Sequence, residues 1–118
     1  MLVDIQSTDG TLVVRVIERQ LDAQIAMEFQ EQLSNWLRTE HGTVLLNLQR
    51  VEFIDSLGLG AIVSSSRHYK ASASLVISDL SPAVESLFKL TRIDKVFRLF
   101  ATEDDAISEL TSAATAAS

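Results

Sequence analysis

The uncharged run Thr43-Val44-Leu45-Leu46-Asn47-Leu48, with the segment behind it, constrains this fold more than any other stretch. Such a run suits a buried strand in a sheet that carries helices on one or both faces. Next comes Val51-Glu52-Phe53-Ile54-Asp55-Ser56-Leu57-Gly58-Leu59-Gly60, then apolar spacing at Ile62, Val63, Ser66 and Tyr69. Strand, tight loop and helix is the economical reading. Asp55 and Ser56 fall where a helix cap belongs, with two glycines inside the first turn.

The remaining elements follow from the same reasoning. Residues 1–7 alternate loosely, with Val3 and Ile5 on one side; Asp9-Gly10 reads as a hairpin turn. Thr11 to Ile17 is a strand rich in β-branched residues, with Leu12, Val14 and Val16 on one face and Val13, Arg15 and Ile17 on the other. Asp22 can cap a helix reaching Thr39, whose stripe is Ile25, Ala26, Phe29, Leu33, Trp36 and Leu37. Val51 and Phe53 are expected to pack inward. The next helix runs from Leu57 to Lys70, with Tyr69 inward and Ser64, Ser65, Arg67 and His68 outward. Ala73 to Ile77 is a strand, and Ser81-Pro82 starts a helix with Val84, Leu87, Phe88 and Leu90 on its apolar side. Val96 to Phe100 is a short strand, and Glu103 to Thr111 a last helix.

The order β-β-α-β-α-β-α-β-α makes an α/β fold. Right-handed crossovers give a four- to five-stranded, mostly parallel β sheet with an antiparallel first hairpin and four helices. One domain spans residues 1–111, and residues 112–118 form a flexible C-terminal tail.

Composition excludes several classes of function. The 118 residues carry a net charge of -6 with no basic cluster, which argues against nucleic acid as a ligand. Neither a membrane span nor a signal peptide is legible, and there is no cysteine. A cytoplasmic monomer without membrane association is expected.

At Ser56 the residue chemistry leaves two readings open. Asp55 or Ser56 is a helix cap and nothing more, or the helix start presents a serine on a surface that Leu57, Gly58 and Gly60 leave clear for a docking partner. A hydrolytic triad is not supported. His68 lies twelve residues beyond Ser56, about 18 Å along a helix, and His41 belongs to the end of another element. Asp22, Glu52 and Asp55 do not define a metal site, and Gly58-Leu59-Gly60 lacks the third glycine of a dinucleotide loop. No cofactor, metal or catalytic residue is assigned. The chain does not read as an enzyme.

Ile54-Asp55-Ser56-Leu57-Gly58-Leu59-Gly60 resembles the phosphorylation segment of the STAS family, in particular the bacterial anti-sigma factor antagonists. Leu21-Asp22, expected at the end of the second strand, resembles the family's Gly-Glu-Leu-Asp turn. Ser81-Pro82-Ala83-Val84 with Leu87-Phe88 resembles the start of its third helix, and the element order matches over residues 2–110.

The resemblance implies a STAS-like domain working in signal transduction and transcription regulation by partner switching. The unmodified protein would bind an anti-sigma factor that is also a serine kinase, freeing the sigma factor. Phosphorylation at Ser56 would release it, and a PP2C-type phosphatase would restore it. Asp55 matches the acid beside the family's serine, and Asp22 the acid of the second-strand turn. With Leu57, Gly58 and Gly60 as contact and clearance positions, these residues make up the expected partner-binding set. Two departures stand out: Arg19-Gln20 replaces the family's Gly-Glu, and Leu57 follows the serine where serine or threonine is usual. They leave open a signalling or scaffold module of the same fold with a target outside sigma regulation.

Overall fold

The computed structural model describes residues 2–67 and 71–117, with side chains in the last helix described to residue 112. Strands β1 (Val3–Thr8) and β2 (Thr11–Val16) form the expected hairpin. Asp9 and Gly10 both have positive φ, the conformation whose twist matches a two-residue hairpin. Chain order then runs β3 (Gln20–Leu21), α1 (Ala26–Thr39), β4 (Thr43–Asn47), β5 (Phe53–Ile54), α2 (Ser56–Ser66), β6 (Ser74–Ser78) and α3 (Pro82–Leu90). A 3-10 turn (Ile93–Lys95), β7 (Arg98–Phe100) and α4 (Glu103–Ala117) complete it.

The main sheet has five strands in the order β1-β2-β4-β6-β7, antiparallel only at the first pair. Its two faces have separate cores. Leu12, Val14 and Val16 join Phe29, Leu33, Ile62, Val84 and Phe88 on the face covered by α1, α2 and α3. Val13, Leu45, Val76 and Phe100 meet Ala106 of α4 on the other. The alternation along β2 thus does what period two requires, and β4 is buried from Val44 to Asn47 because helices cover both sides.

Several local expectations are corrected. Leu21 does not extend β2; it sits in a separate two-residue strand paired in parallel with β5. Pairing with Gln20 at this outer sheet turns Phe53 to solvent, 51% exposed, while Val51 and Ile54 go inward. Helix α1 begins at Ala26, after a turn in which the Asp22 carbonyl accepts from the Ile25 and Ala26 N–H groups. Ser65 is buried rather than outward: its hydroxyl donates to the Ala61 carbonyl and meets Ser34 Oγ at 3.2 Å between α1 and α2. Leu90 is 82% exposed at the end of α3, and Val96 precedes β7 in an exposed position. Trp36 is only partly buried against the core. Helix α4 runs on to Ala117 through most of the segment expected as a tail, in keeping with the alanines there. The expected placements of His68, Tyr69 and Lys70 lie outside the described residues.

One polar cluster fastens α4 to the sheet. Arg15 of β2 donates through Nε and Nη2 to both carboxylate oxygens of Glu103, at 2.9 and 2.8 Å, and Asn47 Nδ2 donates to Oε1 at 2.9 Å. Arg98 and Glu109 form a second ion pair between β7 and α4. The Arg15 hydrogen bonds hold the Glu103 carboxyl below the ordinary value of 4.5, against the opposing effect of burial. A carboxyl depressed by folding stabilises the protein above its unfolded pKa, and that contribution disappears as pH falls through the lower folded value. Urea unfolding should therefore show Glu103→Gln costing about 1 kcal/mol near neutral pH. The difference from the wild type should shrink as pH falls below 4.5.

Candidate functional site at the start of helix α2

Asp55 is the N-cap of α2, with extended backbone dihedrals. Its Oδ1 accepts from the Gly58 N–H at 2.8 Å, as an aspartate cap should. Oδ2 accepts from the Ala23 N–H at 3.0 Å, across to the turn before α1. One carboxylate therefore latches two helix starts together. In the same turn Asp22 Oδ1 accepts from the Gln24 N–H at 3.1 Å, and the Ala23–Asp55 bond brings the two acids expected from the sequence into one neighbourhood. Both Asp55 carboxylate oxygens are thus engaged by backbone amides.

That double use makes a test. Asparagine keeps one carbonyl oxygen, whereas alanine keeps neither acceptor. Asp55→Ala is expected to cost about 2 kcal/mol. Asp55→Asn should retain the cap and recover about half of it, read by chemical denaturation.

Ser56 occupies the first position of α2 and is exposed. Its hydroxyl makes no hydrogen bond among the described residues, and neither do the N–H groups of Ser56 and Leu57. Asp55 supplies the cap, so Ser56 is free of that duty. Leu57 follows with 58% of its surface exposed.

The two glycines part company. A Cβ on Gly58 would lie 2.0 Å from the Leu21 carbonyl oxygen. The clearance expected there for a partner is taken by the protein's own β3, and Gly58 is buried. At Gly60 a Cβ would meet nothing within 4 Å, so that position does leave open surface.

Helices α1 and α2 run side by side in the same direction. Ala23 bonds Asp55 at one level and Ser34 bonds Ser65 at another, eleven residues on along α1 and ten along α2. This places the first turn of α1 beside that of α2. Met27, on the same stripe of α1 as Ser34, is 84% exposed there. Sequence reasoning passed over Met27 and turned Phe53 the wrong way. Both misses concern residues whose exposure depends on which elements lie beside them.

No group of three or more His, Asp or Glu side chains among the described residues could hold a metal ion. No helix is long and apolar enough to cross a membrane, again among the described residues.

The model of the STAS domain family matches residues 3–106. An anti-sigma F factor antagonist of Paenibacillus polymyxa is 24% identical over 115 residues, covering 92% of this chain and 93% of the relative. An anti-sigma factor antagonist of Mycobacterium paratuberculosis superposes with a TM-score of 0.79 at 24% identity, over 92% of each chain. The Bacillus cell fate determinant SpoIIAA, in its phosphorylated form, superposes with a TM-score of 0.67 at 22% identity, over 92% of this chain and 98% of that one. These relatives are named as antagonists and a cell fate determinant, not as enzymes. With the family match spanning every strand and the helices α1, α2 and α3, the chain belongs to the STAS domain family.

Proposed function

We propose that this protein is an anti-sigma factor antagonist whose binding is switched off by phosphorylation of Ser56. The observation that carries the reading is the exposed hydroxyl at the first position of α2, which has no hydrogen-bond partner among the described residues, beside an acid already engaged by two backbone amides. In the unmodified state the surface around Ser56 docks on an anti-sigma factor with serine kinase activity and frees the sigma factor. That partner then transfers the γ-phosphoryl group of ATP to Ser56 and lets the product go. A metal-dependent PP2C-type phosphatase returns the serine, and the cycle belongs in the cytoplasm.

The physical basis of release is local. A phosphate adds about -1.5 to -2 charge next to Asp55, which is bonded to the turn that carries Asp22. A partner packed over a neutral hydroxyl has to desolvate that charge. No large rearrangement of this domain is required.

Purified candidate anti-sigma kinases with ATP, and mass spectrometry to locate the modified residue, test the assignment directly. Phosphate on Ser56, absent from Ser56→Ala, is the expected result. Modification elsewhere, or none by any such kinase, removes this function. The second reading, a scaffold with another target, draws on exposed Arg19 and Gln20 beside Phe53. A bound partner without an ATPase domain, together with unmodified Ser56 in cells, would favour it.

A further inference from the structure

We propose that the outer edge of β1 is a pairing edge, where two copies of this chain join strand to strand, antiparallel, into one continuous sheet. The inference goes beyond the switch and does not depend on Ser56 being the acceptor.

Strand β1 ends the five-stranded sheet, with β2 on one side and no strand on the other. Along an antiparallel pair, opposed residues alternate between those that exchange backbone hydrogen bonds and those that do not. The Ile17 N–H donates to the Leu2 carbonyl at 2.9 Å. With Val3 opposite Val16 and Thr8 opposite Thr11, this makes Leu2, Asp4, Gln6 and Thr8 the bonded positions. The N–H and C=O groups of Val3, Ile5 and Ser7 therefore point away from β2, and no hydrogen bond among the described residues reaches them. Soluble proteins guard such an edge with lysine, proline, a bulge or a very short strand. Strand β1 uses none of these: it has six residues, an unbroken register and no lysine or proline. The opposite edge, β7, has three residues and carries Arg98. At the middle of the unguarded edge Ile5, opposite Val14, is 49% exposed.

The occupant that fits is a second copy, because the edge is complementary to itself. A two-fold axis through Ile5 sets Val3 opposite Ser7 of the second copy and Ile5 opposite its equivalent. Every outward backbone group of both strands is then paired, and the two Ile5 side chains cover each other. On the other face of the sheet Asp4 lies opposite Gln6 of the second copy, and Gln6 opposite the second copy's Asp4. Arg15 prepares that contact: its Nη2 donates to Gln6 Oε1 at 3.0 Å. The Gln6 amide nitrogen is left to donate to a carboxylate across the axis. Other registers lose this match. Centring on Asp4 sets two carboxylates directly opposite, and centring on Gln6 carries Val3 opposite Asp9, which lies in the hairpin turn. A contact along one strand edge is small, so the dimer is reversible and builds up between about 10 μM and 1 mM.

Sedimentation equilibrium of the full chain over that range tests this, and the wild type should pass from monomer to dimer. Gln6→Glu keeps an acceptor for Arg15 within the chain but sets a carboxylate against Asp4 of the second copy. It should weaken dimerisation at least tenfold while its urea midpoint stays at or above that of the wild type. Adding Asp4→Asn to Gln6→Glu restores a donor opposite the acid and should bring the affinity back within threefold. The chain has no cysteine, so introduced ones report the register. Directly opposed residues of this kind have Cα atoms about 4.5 Å apart, within disulfide reach. Asp4→Cys and Gln6→Cys proteins mixed under mild oxidation should cross-link, and neither should do so alone. A wild type that stays monomeric at about 1 mM overturns the proposal. So does a dimer that Gln6→Glu leaves unchanged, or cross-linking no greater in the mixture than in the separate proteins.

Discussion

Gly58→Ala is expected to lower the stability of the protein by about 3 kcal/mol, a loss on the order of 10 °C in melting temperature. The new Cβ would stand 2.0 Å from the Leu21 carbonyl oxygen, 2.8 Å from its carbon and 3.1 Å from Leu21 Cγ. Nothing flexible can yield there. The carbonyl accepts from the Asp55 N–H at 3.3 Å, and Leu21 itself is fully buried and paired with Ile54. Relief would have to separate β3 from α2 and strain the Asp55 cap. Gly60→Ala is the internal control. It meets open space in the same helix, so it should be neutral or stabilising by about 0.5–1 kcal/mol. Equal melting temperatures for the two variants would show that the close approach at Gly58 is not real.

The second large effect is on binding. Ser56→Asp should reduce affinity for the anti-sigma partner by about a hundredfold, near 3 kcal/mol, from the cost of desolvating a charge under a packed surface. Ser56→Ala should bind within a few-fold of wild type, because the hydroxyl has no internal partner to lose among the described residues. Neither change should move the unfolding midpoint much, since the cap belongs to Asp55. Titration calorimetry against the identified partner gives the affinities. Equal binding by wild type and Ser56→Asp would end the switch, whatever the kinase does.

Much of this was legible without coordinates. The uncharged run at residues 43–48 required a covered strand, and period two along Leu12, Val14 and Val16 required a sheet with two different faces. Asp9-Gly10 required a hairpin, and Asp55 ahead of a helical pattern required a cap. Each of these is set by neighbours within a few residues: backbone freedom, side-chain spacing, and the unpaired amides at a helix start.

Only the tertiary structure decided what the residues around Ser56 face. A two-residue strand pairing has no period to detect, so the β3–β5 contact was invisible, and with it went the outward turn of Phe53 and the reason for Gly58. A glycine in a sequence says that something comes close; the fold says that it is the backbone of Leu21. Likewise Asp55 reads as a cap from its own segment, yet its second oxygen is committed to Ala23, 32 residues earlier. Local chemistry along the chain fixes the elements, whereas contacts between distant segments choose which side chains remain for a partner.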